Sequence, residues 1–463
     1  MVLKRFFFFG FFLFVIVFLL TVFYTVYTGW LSFSIMWVAL FAGSFSYLRR
    51  AYKDQNTVLS FVIPFCVYSL YMYITNYLFV KDPYIDFFMM VDSKKFWSFS
   101  DYQLQSFSDV VDAQGKDYLM TIRYTLFNFG NLCLSFFAQI FDENNILVQK
   151  LQSVWLGAFS IPFVYLSLKK YFPTKQSLVY ALFYAFFTHV FIYSVVFNRD
   201  PHVYLLYTIG AYIITNHNTV KNGLGKLVLL FVLICGFRLE HGLFFSAFIL
   251  LYLWVQARSK PRLKVLVIAL IPIVGLIAFP FFFGKYQENT DTYEGHLERV
   301  ERTEASAAVL LNSLPPGIKE TLMAVNSQVA PAVPFWRSWY PSLNQSTYSR
   351  HPVEGYYTPW RFIESIASVV WVYVWSIVLC GLLLKKYKVI PLELNLLFMV
   401  SVILLMMAST SVNARRTYCV YPIIFIYCLY IRQLLSPKLR RRVMQSATLV
   451  LIGIYCAYYI FKN

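Results

Sequence analysis

The sequence predicts an all-α polytopic membrane protein of about thirteen transmembrane helices, with two large loops on its outer face. Three observations predict it. Of the 463 residues, 59% are hydrophobic and only 13% charged, where a soluble globule carries about a quarter charged. The apolar residues fall in consecutive runs of roughly 15–25, about the thickness of a bilayer core at helical rise. The basic residues, 40 against 22 acidic, sit in short clusters between alternate runs. That is the signature of basic loops on the inner side of a membrane and not of a nucleic-acid surface.

Taken in order, the runs lie at 6–27, 31–48, 57–80, 146–168, 176–197, 201–216, 225–238, 242–256, 264–284, 361–384, 391–410, 417–434 and 443–461. The first follows Lys4 and Arg5 like a signal sequence. It is too long and aromatic for one, and no small-residue cleavage motif follows, so a retained anchor is expected. The runs 225–238 and 242–256 form a tight pair broken by Gly236, Arg238, Glu240, His241 and Gly242. With the N-terminus inside, the inner loops carry Arg49, Arg50 and Lys53; Lys169, Lys170 and Lys175; and Lys221 and Lys226. Further on they carry Arg258 to Lys264, Lys385 to Lys388, and Arg432 to Arg442, nearly without acid.

The same parity places Leu119–Phe141 in or on the outer interface, because a span there would invert every later loop. Before it, Leu104, Phe107 and Val111 recur at helical spacing opposite Asp101, Gln105, Ser108 and Asp112, an amphipathic helix suited to a membrane surface. Four regions follow. Residues 1–56 hold two N-terminal spans, 57–284 a transmembrane core with the outer loop 81–145, 285–360 a second outer loop, and 361–463 the last spans. The seven cysteines form no C-x-x-C pair, and those in the apolar runs, such as Cys66, Cys235, Cys380 and Cys428, read as small core residues.

Polar clusters at the outer boundaries are the candidates for chemistry, since charge at membrane depth is costly. They are Asp82, Asp86 and Asp92; Arg199 and Asp200; Arg238, Glu240 and His241; the charges of the second loop; and Arg415 and Arg416. No phosphate-binding P-loop, H-E-x-x-H or G-x-S-x-G occurs, which speaks against ATP-driven transport and against zinc or serine hydrolysis. A carboxylate within reach of an acceptor hydroxyl serves as a base. Arginines offer phosphate oxygens paired donors and stay charged beside lipid.

These elements, in this order, resemble the GT-C superfamily of membrane glycosyltransferases, of the family-39-like kind. Asp92-Ser-Lys-Lys-Phe96 is similar to the D-E-x-x-Y element of the first outer loop, with Ser93 in the place of the second acid. Arg199-Asp200 resembles the R-D pair after a middle span, and Arg238-Leu-Glu240-His-Gly242 the R-P-E-G element. Arg415-Arg-Thr-Tyr-Cys-Val-Tyr-Pro422 resembles the start of a late span. The two spans before residue 57 look like an addition to the pattern.

The resemblance implies a GT-C-like core and an inverting transfer of sugar from a polyprenyl-phosphate-linked donor to a glycan, lipid or protein acceptor. It also implies a bacterial inner membrane with the site on the periplasmic face. The catalytic base would be Asp92, with Asp86 and Asp82 open as alternatives. Arg415 or Arg416 would hold the phosphate, and Arg199, Asp200, Arg238, Glu240 and His241 would line the substrate site. No cofactor is indicated and no motif calls for a divalent cation, although the chemistry would accommodate one. The partners expected are the donor, its acceptor and membrane lipid, not nucleic acid. Two rivals stand beside this reading. A surface-polysaccharide polymerase or ligase would use Arg299, Arg302, Arg337, Arg350 and Arg361; a lipid-linked glycan flippase or transporter would need a polar path to the inner face.

Overall fold

A computed structural model describes residues 2–78, 96–116, 124–216, 220–257, 318–329, 359–408 and 417–462, with isolated positions between 258 and 317. Among the described residues the regular structure is all helical, without strands. The chain divides into two compact units. The first comprises Met1–Tyr212, Val232–Gly242 and Trp339–Trp360, and the second Ile213–Phe231, Leu243–Ser338 and Arg361–Asn463.

The first unit begins with α1 (Val2–Thr28), α2 (Leu31–Tyr52) and α3 (Gln55–Leu78). Gly29, at φ 76°, allows the tight reversal between α1 and α2. Aromatic rings knit this trio: Phe14 stacks on Phe41 at 4.5 Å, and Trp37 packs on Phe65 at 5.3 Å. Thr21 and Tyr73 share a buried hydrogen bond of 2.7 Å between α1 and α3. The N-terminal pair is thus part of this unit's core.

The amphipathic α4 (Phe107–Lys116) starts with one half of a capping box, in which Asp109 accepts from the backbone N–H groups of Gln105 and Ser106, both at 2.8 Å. Those two N–H donors hold the Asp109 carboxyl below its ordinary pKa. The helix packs on α5 (Thr125–Phe141) through Val110, Ala113 and Leu132, with Leu104 beneath. Its expected apolar face is therefore split. Leu104 is buried, but Phe107 and Val111 are exposed, because α5 claims the neighbouring stripe instead.

The most extensively packed partner of α3 is α6 (Ile146–Lys169), capped by Asn145, whose side chain accepts from Val148 N–H at 3.2 Å. Two ties fix its direction. At one end Asp54, in the α2–α3 turn, takes hydrogen bonds from Lys169 and Tyr165, both at 2.8 Å. At the other, Asp142 accepts from the Ser32 N–H at 2.7 Å and hydroxyl at 2.9 Å, and Asn145 donates to Ser32 at 3.0 Å. So α2 and α6 run the same way while α3 runs back. Phe96, Tyr124 and Phe127 pack beside Ile146 at the start of α6, so the described residues between α3 and α6 lie at the Asp142 end and α5 does not carry the chain across. That is the path the charge parity requires.

Next, α7 (Thr174–Phe187) stops at Thr188, and the five-residue α8 (His189–Tyr193) follows. The run 176–197 is therefore broken, and it returns toward the Asp142 end as an irregular segment. Ser194 lies so close over Gly157 of α6 that a Cβ there would collide with it. The chain then enters α9 (Asp200–Asn216). Finally α10 (Val220–Phe237) and α11 (Leu239–Gln256) form an antiparallel hairpin. Gly223 abuts Tyr252 at its open end, and Gly242 abuts Cys235 at its closed end. Only Arg238 separates the two helices.

The described part of the second unit includes α12 (Ile318–Val329), α13 (Pro359–Leu383), α14 (Leu392–Ala408), α15 (Tyr421–Leu434) and α16 (Pro437–Lys462). Trp375 donates to Gln328 at 2.6 Å, and Phe398 stacks on Tyr427 at 3.9 Å. Among the described residues, six helices are long and apolar enough to cross a bilayer: α1, α2, α3, α6, α11 and α13. Four shorter apolar helices accompany them. The expected count of about thirteen is thus matched only in part. The run 176–197 is interrupted at Thr188, 264–284 lies almost wholly outside the described residues, and 443–461 is the continuation of the basic start of α16.

Candidate functional site at the closed end of the hairpin

The site grows from an aromatic cluster at the Asp142 end. Phe96, Phe127, Ile146 and Phe197 are buried together, with Tyr124 and Phe237 packed against them. Apolar packing here brings the loop before α5, the start of α6 and the start of α9 to one place. On this floor sit two arginines with different surroundings.

Arg238 occupies the hairpin turn. Its N–H continues α10 by donating to Ile234 O at 2.7 Å, and its carbonyl accepts from Gly242 at 3.2 Å. Its guanidinium meets Asp200, the first residue of α9, at 2.7 Å, with only 8% and 4% of the two side chains exposed. Glu240 stands 4.0 Å from its Nε and is 34% exposed. A pair this buried stands only if the geometry is good, and losing one partner leaves an uncompensated charge.

Arg199, one residue earlier, faces rings. Its guanidinium lies 4.1 Å from the centre of Tyr124 and 5.8 Å from that of Phe96, a cation–π seat. The Nη1 atom is buried with no hydrogen-bond partner among the described residues. Burial first, and then the charge of Arg238, weigh against the Arg199 cation and pull its pKa down, while Asp200 opposes them. An anion brought to Nη1 would satisfy the donor and offset both costs.

His202 completes the floor, stacked on Phe237 at 4.4 Å and edge-on to Phe127 at 5.6 Å, with its N–H bonded to Arg199 O at 3.1 Å. His241 is buried in the first turn of α11. It packs edge-on against Tyr207 at 5.9 Å and accepts that hydroxyl on its own carbonyl at 2.7 Å. Here it ties α11 to α9.

The structure therefore brings together Arg199, Asp200, Arg238 and Glu240 as one charge cluster, with His241 one turn away. Asp82, Asp86, Asp92, Arg415 and Arg416 lie outside the described residues, as do Arg299, Arg302, Arg337 and Arg350. Tyr124, Phe127 and His202 were not singled out from the sequence. In a chain with 20% aromatic residues, no local pattern distinguishes a ring beneath an arginine from one facing lipid. Among the described residues, no group of three His, Cys, Asp or Glu side chains is arranged to hold a metal ion.

Comparison with family models, curated proteins and solved structures gives no match to this chain.

Proposed function

We propose that the chain is a membrane glycosyltransferase that moves a sugar from a polyprenyl-phosphate-linked donor to a glycan, lipid or protein acceptor at the outer face. The observation that carries the reading is a pair of buried arginines at a helix-bundle end, one ion-paired to a carboxylate and one seated on aromatic rings without a carboxylate of its own among the described residues. Arg238 is held by Asp200 at 2.7 Å, whereas Arg199 presents a buried donor from an aromatic seat. A lipid phosphate arriving from the bilayer has the charge and the oxygen geometry to take that donor. Tyr124 and Phe96 would flank it.

Phe96 of the Asp92–Phe96 element packs in this cluster, so the base proposed at Asp92 is four residues from the site along the chain. The acid that leaves is a polyprenyl phosphate, a good leaving group, so the protein's share of the work is to deprotonate the acceptor and hold the phosphate. Arg415 and Arg416, one of them expected from the sequence to hold the phosphate, lie outside the described residues.

The test is a photo-crosslinker installed in place of Tyr124 in the full-length protein. Polyprenyl phosphate should label that position, unlabelled lipid phosphate should compete, and Arg199→Ala should remove the labelling. Labelling that persists undiminished in Arg199→Ala would contradict the assignment.

A further inference from the structure

At one end of the second unit, two helix-to-helix turns concentrate positive charge on an apolar rim. The α13–α14 turn holds Lys385, Lys386 and Lys388. The α15–α16 turn follows Arg432 and leads into Lys438 and Arg440 to Arg442. The α13–α14 turn is tied to the body of α15 through Asn395, whose amide donates to Tyr387 O at 2.7 Å and accepts from the Tyr427 hydroxyl at 3.0 Å. Glu393 is the one carboxylate in these two turns and the helix starts beside them.

One feature separates this end from an ordinary solvated surface. The lysines alternate with large apolar side chains that point away from the protein. Leu383 is 83% and Val389 65% exposed, and Leu384 and Tyr387 are also exposed. Water would penalise that rim, whereas the boundary between headgroups and acyl chains accepts both halves of it. Lys385 sits at φ 53°, in the left-handed region that glycine enters at no cost and a side chain does not. Its N–H closes the end of α13 on Leu382 O at 3.0 Å, so the turn demands this conformation. Glycine would fit this backbone better, so the charge can be removed here without strain.

We infer that this paired turn is a docking surface for anionic phospholipid headgroups. Lys385, Lys386 and Lys388 supply the charge from one side and the Arg440–Arg442 run from the other. Leu383 and Val389 enter the acyl boundary between them. The occupant follows from the surroundings: α13 is one of the six helices long and apolar enough to span, so its end lies at a headgroup layer. The inference is independent of the glycosyltransferase reading, since it uses residues of the other unit.

The experiment reconstitutes the full-length protein in nanodiscs of phosphatidylcholine with increasing phosphatidylglycerol. Retained lipid is read by native mass spectrometry and thermal stability is measured in parallel. The wild type should retain phosphatidylglycerol in preference and melt higher as it is added. Each basic group at an anionic surface is worth roughly fivefold in partitioning, so Lys385→Gly with Lys386→Gln and Lys388→Gln should weaken retention on the order of a hundredfold. Lys385→Gly alone relieves the backbone, so it should fold at least as well in neutral lipid yet retain less phosphatidylglycerol. That split excludes misfolding as the cause. A wild type without lipid preference, a triple variant with unchanged retention, or full competition by inorganic phosphate would each overturn the inference.

Discussion

Arg199 and Arg238 belong to the same cluster but have different roles, and substitution separates them. Arg238→Ala strands Asp200 in the interior and should cost about 3–5 kcal/mol, read as a fall in thermal midpoint. Arg238→Met with Asp200→Leu removes both charges, and most of that stability should return while transfer does not. Arg199→Lys keeps a charge but loses the flat guanidinium over Tyr124 and its forked donors. It should leave the melting point nearly unchanged and lower donor use by about tenfold, or about 1.4 kcal/mol. At the opposite end of the first unit, burial raises the Asp54 carboxyl. The hydrogen bonds from Lys169, Tyr165 and Asn56 outweigh it, so the folded pKa is lowered. A lowered carboxylate stabilises above the ordinary range near ~4 and loses that contribution as pH falls through the folded value. The stability gap between wild type and Asp54→Asn should therefore narrow on acidification.

At the scale of elements, the charge pattern of the loops was more informative than the apolar runs themselves. Parity read from the basic clusters kept Leu119–Phe141 from being taken as a crossing, and the Asp142 and Asp54 ties give the chain that same path. The tight pair read at 225–256 is the hairpin that turns at Arg238. Hydropathy alone overstated the run 176–197, because an internal break at Thr188 costs no apolarity and leaves no trace in composition. The face of α4 was only partly legible: Leu104 is buried but precedes the helix, Phe107 and Val111 are exposed, and the stripe that α5 covers is set by tertiary packing. The contact between α10 and α5 should be sensitive at Gly236 of α10, where a Cβ would enter the Leu126 side chain of α5. Gly236→Ala should cost about 1–3 kcal/mol by overpacking and impair transfer with Arg199 intact.

For the whole molecule, the sequence makes the membrane class plain, since six apolar helices need a solvent other than water. The charge cluster was legible as separate short motifs because buried charge stands out in so apolar a chain. Its aromatic floor was not, because rings are everywhere. The account requires loops 81–145 and 285–360 to face one compartment. Single cysteines at Ser108 and Ser346, introduced after removal of the seven native ones, should both react with an impermeant reagent from the same side. The measurement that bears most directly on the central claim is transfer itself. Proteoliposomes holding the full-length protein would be given radiolabelled sugars on polyprenyl phosphate, together with extracts of envelope acceptors. The account predicts time-dependent loss of sugar from the lipid and its appearance on an acceptor. It also predicts that folded Asp92→Asn abolishes this and that Arg199→Ala lowers it at least tenfold, with about 1.4 kcal/mol of transition-state stabilisation lost. Full activity in both of these variants, or no transfer from any polyprenyl-phosphate sugar by a folded wild type, would contradict it.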